Sequence, residues 1–161
     1  MNLFLFPVVV LGVATSLQGV LYFITPGDIF SPISDDVPTI YRLGPKGNRV
    51  AVDNCISYVG YNDAGTLVFG ETHDQTGDAN HSAPNKTHVA IDEEGHFVLA
   101  SHASHGFSLA DVPGSFWKKV VSYKGNTVFQ LCGDHSVAHG SECSDARDIT
   151  IYFEPMWPFA Y

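Results

Sequence analysis

Three segments of this chain repeat one local grammar: a polar turn, a glycine, and then a short run of β-formers. Asn62 to Gly65 precedes Thr66-Leu67-Val68-Phe69, and Asp92 to Gly95 precedes His96-Phe97-Val98-Leu99-Ala100. Lys124-Gly125-Asn126 precedes Thr127-Val128-Phe129. The three glycines stand thirty residues apart, each with Val three positions on and Phe or Leu four positions on. Glycine suits a turn that needs positive φ, and the runs that follow have the composition of strands. No stretch of ten or more residues keeps the periodicity of a helix. Strands at short intervals, punctuated by Gly, Pro and Asn, predict an all-β fold: an antiparallel β-sandwich, with a small β-barrel as the alternative. A true sequence repeat would share more than a turn and two side chains, so the even spacing is weaker than the β assignment.

Taken in order, strands are expected over Val20–Ile24 and Thr39–Leu43, the second stopped by the turn signal Gly44-Pro45-Lys46-Gly47. Arg49–Tyr61 reads as two strands, or one with a bulge. Thr66–Glu71 follows, then the hairpin His88–Ala100 around its acidic tip. Phe116–Tyr123, Thr127–Cys132 and a single alternating strand Asp148–Phe153 complete the set. Between them lie a long polar loop over 72–86, the histidine-rich Ser101–Gly106, and a polar excursion from Gly133 to Arg147. The long loop is a candidate for function by its length, although a solvated loop bearing glycans is the simpler reading.

The 161 residues suit one domain with a real core. Seventeen acidic against eight basic residues give a net charge of −9, which disfavours a nucleic-acid partner. No Lys or Arg precedes Arg42, so a polybasic membrane-surface role is unsupported as well. Leu3 to Ala14 is apolar and ends in small residues, the pattern of a secretory signal. Residues 1–18 are therefore expected to be a cleaved signal peptide and 19–161 the single β domain, with no stable membrane insertion after cleavage. Asn80-His81-Ser82 and Asn85-Lys86-Thr87 are N-glycosylation sequons, which place Asn80 and Asn85 as glycan acceptors on a secreted, eukaryotic protein.

In an oxidising compartment Cys132 and Cys143 are natural partners by proximity. Cys55 is then a buried thiol in its Val/Ile/Tyr-rich strand, or else a competitor for one of the other two. The run Cys132, His135, His139, Cys143 also has zinc-like spacing, but a disulfide would consume both sulfurs. His102 and His105, with His96 nearby, form a second weak metal candidate; solvated loop histidines are the simpler reading. No cofactor motif is present and none is expected. Asp134-His135-Ser136 is contiguous, whereas triad members come from separate elements. The acids Asp63, Asp92, Glu93, Glu94 and Asp145 sit in turns, where solvation is their usual role. Tyr58, Tyr61, Trp117 and Trp157 could form a sugar-stacking platform, but a β core is the more natural place for most of them.

The segment Ile91–Leu99, the later Val128–Cys132, the second cysteine Cys143 and the alternating Ile149–Phe153 together resemble the small secreted fungal cell-wall proteins of the PhiA-like (phialide-associated) group. The resemblance covers residues 62–153. It departs from the group at Gly133, where a Pro usually follows the cysteine, and at Val89, where a Trp often precedes the acidic turn. It implies a non-catalytic, extracellular or wall-associated role, with no catalytic residues to carry over. The expected function is that of a secreted, glycosylated, non-catalytic cell-wall or cell-surface structural or interaction protein. Its expected partner is a cell-wall polysaccharide or another extracellular surface. An extracellular carbohydrate- or small-ligand-binding β-sandwich module is the alternative, and a histidine-dependent metal protein or enzyme the second alternative.

Overall fold

The computed structural model describes residues 16–30, 37–70 and 87–156. The apolar run before Ser16, the loop with Asn80 and Asn85, and Trp157 lie outside the described residues. Within them the fold is all-β, with thirteen strands, no helix and every strand pairing antiparallel. The first seven strands are β1 (Ser16–Thr25), β2 (Thr39–Lys46), β3 (Arg49–Val52), β4 (Val59–Asn62), β5 (Thr66–Phe69), β6 (His88–Ile91) and β7 (Phe97–Ala100). They close into a barrel in the order β1-β2-β3-β7-β6-β5-β4 and back to β1. The sandwich expectation therefore gives way to its barrel alternative.

The length of β1 is what closes the sheet. Its first residues, Ser16–Gly19, pair with β4, and Leu21–Thr25 pair with β2. The opposite edge of β1, along Gly19–Tyr22, takes β13 (Tyr152–Pro155). One strand thus serves three neighbours, which leaves no free edge there. From β13 the sheet extends outward to β9 (Lys119–Tyr123) and β8 (Phe107–Asp111). A separate small sheet joins β10 (Val128–Leu131), β11 (Val137–Ala138) and β12 (Arg147–Thr150).

Several expected boundaries move, each for a local reason. β2 runs through Gly44-Pro45, and the turn falls at Gly47-Asn48, with Gly47 at φ 62°. Lys46 and Arg49 close this two-residue hairpin. The nitrogen of Pro45 therefore faces the side that β1 has already left, and no ladder bond is lost. The alternating run Asp148–Phe153 is two strands: Ile149 belongs to the small sheet and Phe153 to the large one, with buried Ile151 at the crossing. Arg49–Tyr61 resolves into β3 and β4. The polar excursion hides β11, whose Val137 and Ala138 are fully buried.

One core runs through both sheets. Leu21 and Phe23 of β1, Leu43 of β2, Val59, Leu67, Phe69 and Val89 fill the barrel. Phe129, Leu131 and Ile149 of the small sheet join them. Phe97 links the two, with its ring edge-on to Phe107 at 5.7 Å and to Phe129 at 5.5 Å.

Two of the three evenly spaced glycines share a design. Asn62 and Asp92 each accept, through the side chain, the N–H two residues on, and through the backbone carbonyl the N–H of the glycine three residues on. Both glycines have positive φ and touch a later part of the chain. The Gly65 carbonyl accepts from Gly106 and Phe107, and the Gly95 carbonyl from His139 at 2.7 Å. Gly125 sits in a two-residue hairpin with Lys124, and its α-carbon faces open space. The third unit is a different turn.

Candidate functional site

The strand that closes the barrel is apolar on both faces. Along Val20–Ile24 the inward residues are Leu21 and Phe23, both buried, and the outward ones are Val20, Tyr22 and Ile24. A strand with one solvated face alternates apolar and polar side chains; an uninterrupted apolar run needs cover on both sides. Here the outer face forms the floor of an open groove of about 580 Å³.

The register builds that floor in three rows. Val20 lies opposite Glu154. Tyr22 lies between Arg42 of β2 and Tyr152 of β13. Ile24 lies opposite Ile40. Two segments between strands make the walls. The segment joining β3 to β4 contributes Ile56 and Tyr58, and is anchored by the Asp53 N–H donating to Arg42 O and the Gly70 N–H donating to Tyr58 O. The segment joining β8 to β9 contributes Ser115, Trp117 and Lys118, and is held by the Lys118 N–H donating to Ser115 Oγ at 3.1 Å. Ile40, Ile56, Tyr58, Trp117 and Met156 are all at least two-fifths exposed in this one place. A contiguous apolar surface with a polar rim marks an interaction site in a soluble protein.

The polar groups of the groove gather around Tyr22. Its ring lies 5.6 Å from that of Tyr152, and Lys118 Nζ stands 4.7 Å above the Tyr152 ring. Burial, and then the Glu154 carboxylate and Tyr152, push the Tyr22 phenol up to about 12, so it stays a neutral hydrogen-bond donor. Among the described residues, the lining includes no histidine or cysteine. Such a surface can bury an apolar body, stack on rings and pair with charge.

Of the residues singled out from sequence, the described ones fall elsewhere, with two exceptions. Tyr58 and Trp117 stand on opposite walls of the groove, so two members of the expected aromatic set do come together; Tyr61 instead points its hydroxyl at Phe107 O. Cys132 and Cys143 form a disulfide, as proximity suggested, and their sulfurs are not available to a metal. Cys55 is exposed in the β3–β4 segment rather than buried in a strand, because the turn at Asp53 ends β3 before it.

The described candidate histidines have separate side-chain neighbours. His135 packs edge-on against Phe30 at 4.6 Å, while His139 lies against Tyr123 at 5.1 Å and Phe129 at 5.6 Å. His102 neighbours Ser101, and His105 Nδ1 reaches Ala64 O at 3.0 Å. His96 is buried, 3.7 Å from Glu94. Among the described residues, no three His, Cys, Asp or Glu side chains form a group that could hold a metal.

Asp134-His135-Ser136 is a turn lock. Asp134 accepts from both the N–H and the hydroxyl of Ser136 and pairs with Arg49 at 3.2 Å. These contacts, the Ser136 hydroxyl first, hold its carboxyl below the usual carboxylate range. A smaller hollow of about 400 Å³ beside the disulfide is lined in part by His135, Asp145 and Arg147.

Sequence reading missed Ile24, Ile40, Arg42, Ile56 and Lys118 as a set. The legible signal was the lack of alternation in Val20–Ile24, which requires a second apolar environment outside the core. Comparison with known proteins places the chain in no group: no family model matches it, and neither a curated protein nor a solved structure does.

Proposed function

We propose that this is a secreted, non-catalytic binding protein whose partner enters the groove over β1. The observation that carries the reading is the outer face of the closing strand, apolar yet open, with Tyr58 and Trp117 exposed on facing walls. Leaving Ile40 61% and Trp117 59% exposed costs solubility, and a binding surface gives that cost a purpose. Secretion and glycosylation rest on the signal-like N-terminus, the two sequons and the disulfide. A non-catalytic role accords with the resemblance to PhiA-like wall proteins and with the groove's lining. A cell-wall polysaccharide is the second reading, favoured by the two exposed aromatic rings.

Trp117 reports on both readings. Retention of the protein on chitin, glucan or mannan, and quenching of Trp117 emission by soluble amphiphiles, separate a wall binder from a small-ligand binder. Trp117→Ala is expected to weaken binding by at least about tenfold while leaving the melting temperature unchanged, since the ring is mostly outside the core. Full binding by Trp117→Ala and Tyr58→Ala would place the partner elsewhere.

A further inference from the structure

Resting on the groove as the binding site, we infer that its ligand is an amphipathic carboxylate, an aliphatic body with one anionic end. The chain carries a net charge of −9, yet the charged side chains lining the groove are two cations and one acid: Arg42, Lys118 and Glu154. The groove is a local reversal of the molecule's charge.

The rows of the floor order these groups. Arg42 and Lys118 flank the middle row, one beside Tyr22 and the other above the ring of Tyr152. Arg42 and Tyr152 stand on strands either side of β1, about 10 Å apart at the backbone. Two long cationic side chains can converge on one anion across that gap. Glu154 lies one row to one side, next to Val20, and the aliphatic pair Ile24–Ile40 one row to the other. An anion held by the two cations therefore keeps its body over Ile24, Ile40 and Ile56, away from Glu154.

The Arg42 side chain has no partner of its own among the described residues. Arg49 is paired with Asp134 and Lys119 with Asp111, whereas the Arg42 guanidinium has no hydrogen-bond or ion-pair partner among the described residues. A guanidinium at the margin of an apolar floor matches a carboxylate through two parallel N–H donors. An aliphatic body suits the apolar part of the lining, where Val20, Ile24, Ile40, Ile56 and Met156 stand. The volume lies within the range of small-molecule sites.

The test uses the full chain carrying Trp157→Phe, which leaves Trp117 as its one tryptophan. Trp117 emission is titrated at pH 7 with decanoate, decanol and decyltrimethylammonium, all kept below micelle formation. Decanoate is expected to bind at least about tenfold more tightly than decanol, and the cation more weakly than either. Arg42→Gln and Lys118→Gln are each expected to bring decanoate towards decanol, and Glu154→Gln to hold or raise decanoate affinity. Equal binding of decanoate and decanol overturns the carboxylate while leaving the groove in place. No response to any of the three overturns both.

Discussion

Gly95 is the residue where the turn, the barrel and the small sheet meet. It has φ 88° at the tip of the β6–β7 hairpin, and a side chain there would run into the His139 carbonyl oxygen, which belongs to backbone. Gly95→Ala is expected to cost about 3 kcal/mol, combining strain with displacement of the small sheet. Gly125→Ala meets nothing and is expected to cost only the strain of its positive φ, about 1–2 kcal/mol. Urea denaturation of the two variants checks the order, and equal losses would show that the Gly95–His139 contact contributes nothing. Sequence displayed both glycines in the same pattern. The approach of a segment more than forty residues away makes Gly95 the costlier position, and local grammar has no access to that.

His139 carries a second prediction at this scale. Burial against Tyr123 and Phe129, with Lys124 nearby, holds its imidazole below the ordinary range. The folded chain then binds this proton more weakly than the unfolded chain does. Stability is complete above about pH 6.5 and declines as pH falls from there towards the folded value. Asp28, held down by the Tyr41 hydroxyl and the Phe30 N–H, and Asp134, held down by Ser136, act at lower pH. Their contributions are present above about pH 4 and lost below it. The urea midpoint is therefore expected to drop between pH 7.5 and pH 5, and to drop less in His139→Phe. An identical pH dependence in the variant would remove His139 as a cause.

At the scale of elements, the disulfide and β1 matter most. Cys132–Cys143 closes a loop of eleven residues' separation around β11, whose two residues are wholly buried. Replacing both cysteines with Ser is expected to cost about 2–3 kcal/mol by chain entropy. Ligand binding should persist, because the groove draws nothing from the small sheet. A denaturation curve and a Trp117 titration of the same variant check both halves. The N-terminal end of β1 bears on where a signal would be removed: Ser16, Leu17 and Gln18 pair with Asn62, Tyr61 and Gly60. A chain starting at Ser16 is expected to melt higher than one starting at Gly19, which strips β4 of three partners. Equal melting temperatures would show that this pairing adds no stability. The hairpin β6–β7 was legible in advance because its turn chemistry and flanking alternation are local. β11 was not, since two apolar residues in a polar run form a strand only when a barrel edge is there to bury them.

For the molecule as a whole, sequence determined the class of structure and little of its closure. Gly, Asn and Pro punctuation, short β-branched and aromatic runs, and the absence of helical period are local properties, and they sufficed for an antiparallel all-β chain with a Cys132–Cys143 loop. Whether the strands stack as two sheets or close on themselves depends on which edges meet, and that choice is made between residues far apart in the chain. Tertiary structure decided it by letting β1 take β4, β2 and β13 together. The same pairing brought Arg42 beside Tyr22, Glu154 beside Val20, and the walls from 56–58 and 115–118 over one floor. Arg42, Ile56, Lys118 and Glu154 carry no mark in their own segments. What makes them a site is cross-strand adjacency at roughly 5 Å, a property of the register and of no single stretch of sequence.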